Sequence, residues 1–425
     1  MTGNRPAADR GAPELTGQLL PSLRARGRRL AILSHPAGMT HRLAFTDQLP
    51  TLALVALGAS ETLVGLQRAF EPVGQLLQLP TLRAVGRFRK RSILVAGQVV
   101  AVVAGMPLIA FALLAAAAPP WPMAIALASL TAAAAGVVVS GTVWYPLLRG
   151  YVESERVGQF FGLLRTGWHL TLIGFFVAAQ RWLAARPGSF GPLFAVATAC
   201  GLLRIVLIMR LPEPPAETGE RVRIREAIAL LGSDARLRRY LLGVSLGGAA
   251  RRVVIPFVIV LMRRTLGFSG SDVLVATVAY YAGGFVSLYL WGRAVDRFGP
   301  QPVFATTAAG MAVLYLALLG VPSLGSAVAP MAGFFFSLAA LSSGFGVADT
   351  HVLFRLAPVH APTRLLVVAH VTSSLAYGLA PFAAGCALDA AFAAGIDRLV
   401  AYHVLFALAA FATLLALVPL RGFRR

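Results

Sequence analysis

The sequence is short of charge. Only 13% of its 425 residues are Asp, Glu, Lys or Arg, about half the roughly 25% carried by a soluble domain. That leaves too little polar surface to cover a globule in water or to keep a chain disordered. Cysteine is scarcer still. Cys200 and Cys386 sit in separate apolar runs, which excludes a disulfide scaffold and gives neither the neighbours a zinc site needs. Lysine is nearly absent, Lys90 being the only one. There is also no phosphate loop, nucleophile elbow or paired zinc histidines, so neither an enzyme nor a cofactor is expected. What fills the chain is apolar: 57% hydrophobic residues and a mean hydropathy of +0.74. The fold class is therefore an all-α integral membrane protein. At about 20 residues per span, there is room for about twelve transmembrane helices.

A net charge of +21 raises the question of nucleic acid. The arginines gather at the ends of apolar runs, with no basic stripe interleaved with aromatics, so no nucleic-acid partner is expected. Apolar runs place spans near 37–58, 62–83, 92–115, 122–148, 158–181, 190–209, 239–262, 272–292, 301–320, 328–354, 364–388 and 399–419. The first is the weakest, interrupted by Thr40, His41, Arg42, Asp47 and Gln48. Connections on the side of the N-terminal tail hold 26 Lys and Arg, those on the other side hold 5, and 7 lie within spans. The positive-inside rule then puts both termini in the cytoplasm and requires an even number of spans. The near-total use of arginine for lysine points to a GC-rich bacterial genome, and so to the bacterial inner membrane.

The longest polar connection, with Pro212, Pro214 and Pro215, divides six spans from six. The expected organisation is a basic N-terminal tail (1–36), a six-helix half (37–209), a cytoplasmic linker (210–238), a second six-helix half (239–420) and a short basic tail (421–425). Residues 1–29 lack the apolar core and cleavage site of a secretory signal, so the tail is expected to remain uncleaved. A repeat supports the division. Val85-Gly86-Arg87-Phe88 aligns with Val295-Asp296-Arg297-Phe298, and Arg156 aligns with Arg364, at nearly the same offset.

The run Gly292 to Gly299 reads G-x-x-x-D-R-x-G and resembles the loop signature of the major facilitator superfamily, found there between spans two and three and again between spans eight and nine. The first-half copy is degenerate, with Leu82, Gly86 and Arg89 at the glycine, aspartate and second glycine positions. Glu153 to Gly158, with Phe160, Phe161 and Gly162, also looks like that superfamily's loop between spans four and five. The Gly-Pro pair of the antiporter fifth span is absent from 158–181. The resemblance implies two six-helix halves that rock around a central site. Spans one, four, seven and ten would line the cavity, with two, five, eight and eleven beside it and three, six, nine and twelve outside. It also implies a gating set: Arg87, Arg156, Gly292, Asp296, Arg297, Gly299 and Arg364. Asp296 would pair with Arg297 or Arg364 as a breakable latch, with Glu153 or Glu155 standing in for Gly86 in the first half. Plain positive-inside anchoring is the competing account of these charges.

An ionisable side chain at mid-bilayer costs about 2.5 to 3.5 kcal/mol on insertion scales, so each needs a partner or a wet cavity. The candidates for substrate binding or coupling are Asp47, Arg68, Glu71, Arg165, His169, Arg251, Arg252 and Asp349. Counting 1.5 Å per residue places most of them near the midplane; Arg42 is shallower and could snorkel. Arg68 and Glu71 are three apart and could pair along one helix. Arg165 needs an acid from elsewhere or an anionic ligand, and His169 is either a cavity residue or a packed, hydrogen-bonded histidine. Arg251 or Arg252 could grip a carboxylate or phosphate, or bridge the halves to Asp47 or Glu71. Asp349 could titrate as a gate, or join His351 and His370 around a divalent metal, although two residues of separation spreads Asp349 and His351 around a helix. Trp144 and Tyr145 either line the pocket or pack.

The excess of arginine favours an anionic or zwitterionic solute. The reading is a secondary active transporter of a small-molecule solute, working by alternating access. Protons are the expected coupling ion, carried by Glu71, Asp47 or Asp349, and the lipid bilayer is the surrounding partner. A transporter-like assembly factor or sensor without solute flux is the alternative, and a divalent-metal transporter a lesser one.

Overall fold

The computed structural model describes residues 19–85, 87–152, 157–213, 234–324, 327–356 and 362–423. These residues are helical, with no strand among them. They form twelve elements. The first half holds α1 (Pro21–Thr46, resuming as Gln48–Ala56), α2 (Glu61–Gly74, passing through a 3-10 turn at Gln75–Leu77 into Gln78–Val85), α3 (Lys90–Ala116), α4 (Trp121–Arg149), α5 (Val157–Ala185) and α6 (Gly191–Met209). The second half holds α7 (Ala235–Arg264), α8 (Gly270–Phe298), α9 (Pro300–Ala317, then the 3-10 turn Leu318–Leu324), α10 (Val328–Leu356), α11 (Pro362–Ala393) and α12 (Arg398–Leu420). Ten of them, α3 to α12, are long and apolar enough to cross a membrane. The protein is thus a multi-pass, all-α membrane protein. The two elements below that mark, α1 and α2, carry the Arg42–Glu71 and Asp47–Arg68 pairs.

α1 begins at Pro21, well before the start near 37 expected from hydropathy. Arg24, Arg26, Arg28 and Arg29 depress the hydropathy of this stretch, but it has a small-residue stripe, Gly27, Ala31, Ser34 and Gly38, that is buried. A Cβ on Gly27 would collide with the Tyr151 ring, just past α4. The Tyr151 hydroxyl donates to the Pro212 carbonyl beyond α6. Small residues let backbones approach closely where lipid supplies no hydrophobic drive between helices. The same device recurs between α3 and α4, where Gly97 faces the Ser140 backbone and Gly136 faces that of Ala101.

Within the first half α1 packs on α5 and α6, and α3 on α4; within the second, α8 and α9 pack on α10, and α7 and α9 on α12. The halves meet where α2 packs on α11, α5 on α8, and the second piece of α1 on α7. Gly65 lies against the Pro381 carbonyl and Gly385 against that of Glu61, so α2 and α11 touch backbone to backbone. Large apolar side chains on α3 (Val100, Leu113), α6 (Leu203), α9 (Val313) and α12 (Leu408, Phe411) are exposed. That is what helices facing hydrocarbon require; α5 (Leu163, Leu170) and α8 (Tyr289, Leu290), not expected on the outside, expose such side chains as well.

Candidate functional site

The site is built around the interruption of α1. Asp47 leaves helical geometry at φ −111°, ψ −126°, and the helix resumes at Gln48 with Pro50 in its first turn. Irregular backbone at membrane depth is tolerated only where its polar groups are satisfied inside the protein or face water. Here they are gripped from two sides. Arg68 of α2 donates from Nη2 to the Asp47 carboxylate at 2.9 Å and from Nη1 to the Thr46 carbonyl at 3.3 Å. Tyr281 of α8, in the other half, donates its hydroxyl to the second Asp47 oxygen. One residue on, the Thr277 hydroxyl of α8 donates to Gln48 Oε1 at 2.6 Å. The break is thereby tied to its own half through an ion pair and to the opposite half through neutral donors.

Glu71, one turn beyond Arg68, accepts from Arg42 Nη2 of α1. The spacing of Arg68 and Glu71 had suggested a pair along α2, and the structure corrects it. Both ions pair across to α1, because the helix break brings Asp47 to Arg68 while Arg42 reaches Glu71. Arg42 therefore meets a carboxylate instead of snorkelling to the surface, with its side chain still 38% exposed.

The second half presents charge differently. Arg251 of α7 donates from Nη1 to the Ser342 carbonyl of α10 at 3.2 Å. The Arg252 guanidinium sits 5.4 Å from the centre of the Tyr377 ring of α11. Among the described residues neither has a carboxylate within 4 Å. The salt bridge to Asp47 or Glu71 allowed by the sequence is not made, since Arg68 and Arg42 hold those acids.

The remaining candidates are dispersed. His169 is buried, bonded through Nδ1 to the Arg165 carbonyl at 2.8 Å and packed against Trp168 and Phe285 of α8. Arg165 is exposed one turn away. Asp349 takes up the Tyr240 hydroxyl of α7. Among the described residues no three His, Cys, Asp or Glu side chains gather as metal ligands. Of the gating set, Gly292, Asp296 and Arg297 belong to the last turns of α8 and not to a loop. Only Gly299 turns the chain, at φ +84°, a conformation that favours glycine. Arg297 lies over the adjacent Phe298 ring at 5.2 Å, and no ion pair joins it to exposed Asp296. Successive helical residues point about 100° apart, which separates the two. Arg87 is exposed in the turn after α2. Arg156, Glu153 and Glu155 lie outside the described residues, as do Gly86 and the side chain of Arg364.

One cluster was not singled out by the sequence. At the end of the bundle away from the termini, Glu61 is 2% exposed. It accepts from Arg264 of α7 at 2.9 Å and from the Tyr402 hydroxyl of α12 at 3.0 Å. Arg264 also donates to the Ala59 carbonyl. In return, Asp389 of α11 accepts from the backbone N–H of Glu61 (3.3 Å) and Thr62 (2.8 Å), where an anion is favoured by the helix start. The sequence signal was Ser60, whose side chain caps α2. That marks a helix start but not its burial. Between described residues, the hydrogen bonds joining the halves run from this cluster to the Asp47 break.

The described residues form a twelve-helix bundle with polar side chains converging from both halves, the architecture of an α-helical polytopic membrane protein. Its fold is that of major-facilitator-type transporters. The solved nucleoside transporter NupG superposes with a TM-score of 0.72 at 12% identity, covering 94% of this chain and 100% of that one. A bacterial homologue of the human lysosomal transporter Spinster, in an inward-facing unoccupied conformation, gives 0.67 at 15% identity, with 95% and 98% covered. A D-xylose–proton symporter gives 0.68 at 17% identity, with 92% and 97% covered. No family model matches the chain, and by sequence it matches no curated protein.

Proposed function

We propose that the protein is a secondary active transporter that moves a small anionic or zwitterionic solute by alternating access, coupled to protons. The observation that carries this reading is the contrast in charge around the centre. Arg42 and Arg68 are neutralised by Glu71 and Asp47, whereas among the described residues Arg251 and Arg252 have only a carbonyl and an aromatic ring. A guanidinium so placed can take a carboxylate or phosphate in paired hydrogen bonds. The fold, shared with a proton symporter among others, agrees with transport.

With the basic connections in the cytoplasm of a bacterial cell, the Glu61 cluster seals the outer end and the conformation is inward-facing. Glu71 is the proton carrier, because its carboxylate pairs with Arg42 of α1 and a proton on it opens that pair. Protonating Glu71 frees Arg42, and an incoming anion can satisfy the released guanidinium together with Arg252. Asp47 links the helix break to Tyr281 of the opposite half, so its pairing follows the rocking of the halves. Asp349 is a secondary gate position held by Tyr240. The test is transport in proteoliposomes with the Glu71→Gln variant. Gradient-driven accumulation of the solute is abolished while solute–solute exchange survives; equal loss of both would contradict a coupling role.

A further inference from the structure

The first half contains a second concentration of cationic and donor groups, between α1, α4 and α6. Arg204 of α6 is 7% exposed, and its guanidinium occupies the notch left by Gly38 of α1, where a Cβ would overlap it. The guanidinium lies 5.0 Å from the centre of the Trp144 ring of α4. His35 of α1, 9% exposed, stacks parallel on the same indole at 5.7 Å. His41 fills the matching notch at Gly201 and is tied through Nδ1 to the Ala197 carbonyl at 3.1 Å. The glycines at Gly38 and Gly201 thus admit a cationic side chain from α6 and an imidazole from α1 into one seam.

These groups have few acceptors among the described residues. Arg204 Nε, Arg42 Nε, Trp144 Nε1, His35 Nδ1 and His41 Nε2 are all buried and have no hydrogen-bond partner. Three of the five are obligate donors. No carboxylate lies within 4 Å of Arg204 among the described residues. Arg42 lies one turn beyond Gly38 on α1, so the cluster adjoins the Arg42–Glu71 pair. A buried guanidinium beside indole and imidazole donors, without an acid, is complementary to an oxyanion. Arg42, whose side chain is 38% exposed, is the side from which one can enter.

We propose that Arg204, Trp144 and His35 form an oxyanion subsite in the first half, binding a carboxylate or phosphate group through the guanidinium and indole donors. It is separate from the Arg251–Arg252 site of the second half. A solute with two anionic groups can engage both, one in each half.

Trp144 reports on this subsite directly. In a full-length protein carrying Trp121→Phe, Trp168→Phe, Trp182→Phe and Trp291→Phe, Trp144 is the sole tryptophan. Succinate and inorganic phosphate are titrated in neutral detergent, with succinamide as the uncharged control and phosphatidylglycerol vesicles as the lipid-headgroup arm. The expected result is a saturable change in emission with succinate or phosphate and none with succinamide. Its dissociation constant rises at least tenfold in Arg204→Gln and in Gly38→Ala, which displaces the guanidinium without removing it. Arg252→Gln retains the Trp144 response even where it loses transport. If the four-fold background or a variant does not fold, calorimetry with the same ligands on the unmodified protein and on the remaining variant gives the same comparison. No saturable binding, binding unchanged in both seam variants, or a response to the vesicles alone overturns the subsite. Loss confined to Arg252→Gln overturns it too, while leaving the transport reading standing.

Discussion

The two halves of the molecule handle buried charge in opposite ways. In the first half the acids of the cavity are spent on arginines of neighbouring helices, Asp47 on Arg68 and Glu71 on Arg42. In the second half Arg251 and Arg252 of α7 meet a carbonyl and an aromatic ring, with no carboxylate within 4 Å among the described residues. An ion pair can be opened by a proton, and an unpaired guanidinium can be satisfied by a ligand. Around the Asp47 break, then, the first half offers ion pairs that a proton opens, and α7 offers guanidinium groups that a ligand satisfies.

Both sides of the comparison can be broken by substitution. The largest effect is expected at the sealed end. Glu61→Ala strands Arg264 in a buried site, and removing one partner of a buried pair costs about 3–5 kcal/mol. The halves should separate there, which a cysteine placed near Asp389 detects as faster alkylation by a membrane-impermeant reagent. Next comes Arg252→Gln. Losing one partner of a buried charged contact costs about 2–5 kcal/mol, so anion binding should weaken at least about thirtyfold, as measured by equilibrium binding. Tyr281→Phe removes one of two donors to Asp47 and leaves Arg68 in place. A cost of about 1.5–3 kcal/mol is expected for a bond to a charged group, seen as a lower thermal midpoint with binding retained. The smallest effect belongs to Asp296→Asn. Asp296 is exposed and has no ion pair with a described residue, so stability should change by less than about 0.5 kcal/mol. A large loss of transport in that variant would show that the loop signature acts in another conformation.

Much of the fold was legible in the sequence because lipid imposes one rule on every span: long apolar stretches bounded by arginine. The spans from α3 to α12 fall where hydropathy puts them for that reason. α1 escaped in part because its helix is held by a glycine and alanine stripe, and such packing leaves no hydropathy signal beside four arginines. The presence of charge at the centre was also legible, since each charge breaks an apolar run. Which acid meets which arginine was not. Arg68 and Glu71 satisfy a helical spacing, but the break at Asp47 redirects both, and nothing in the linear pattern announces that break. Arg204 lies on α6, one of the helices that the resemblance places outside the cavity. Its guanidinium reaches Trp144 through the space over Gly38, a tertiary fit that sequence spacing does not encode. Glu61 was passed over because a lone acid after a serine looks like an ordinary helix start.

The account stands on the claim that the unpaired arginines of the second half hold an anion. Thermal stability of the purified protein, measured against organic acids, phosphates, amino acids, organic cations and divalent metals, tests it most directly. A ligand at 100 times its dissociation constant stabilises the folded state by about 2.7 kcal/mol. The account predicts that one class of anion or zwitterion raises the midpoint and that Arg252→Gln reduces the shift to what the first-half subsite alone gives. Stabilisation by cations or metals alone, or an anion shift that survives in Arg252→Gln at full size, would contradict it.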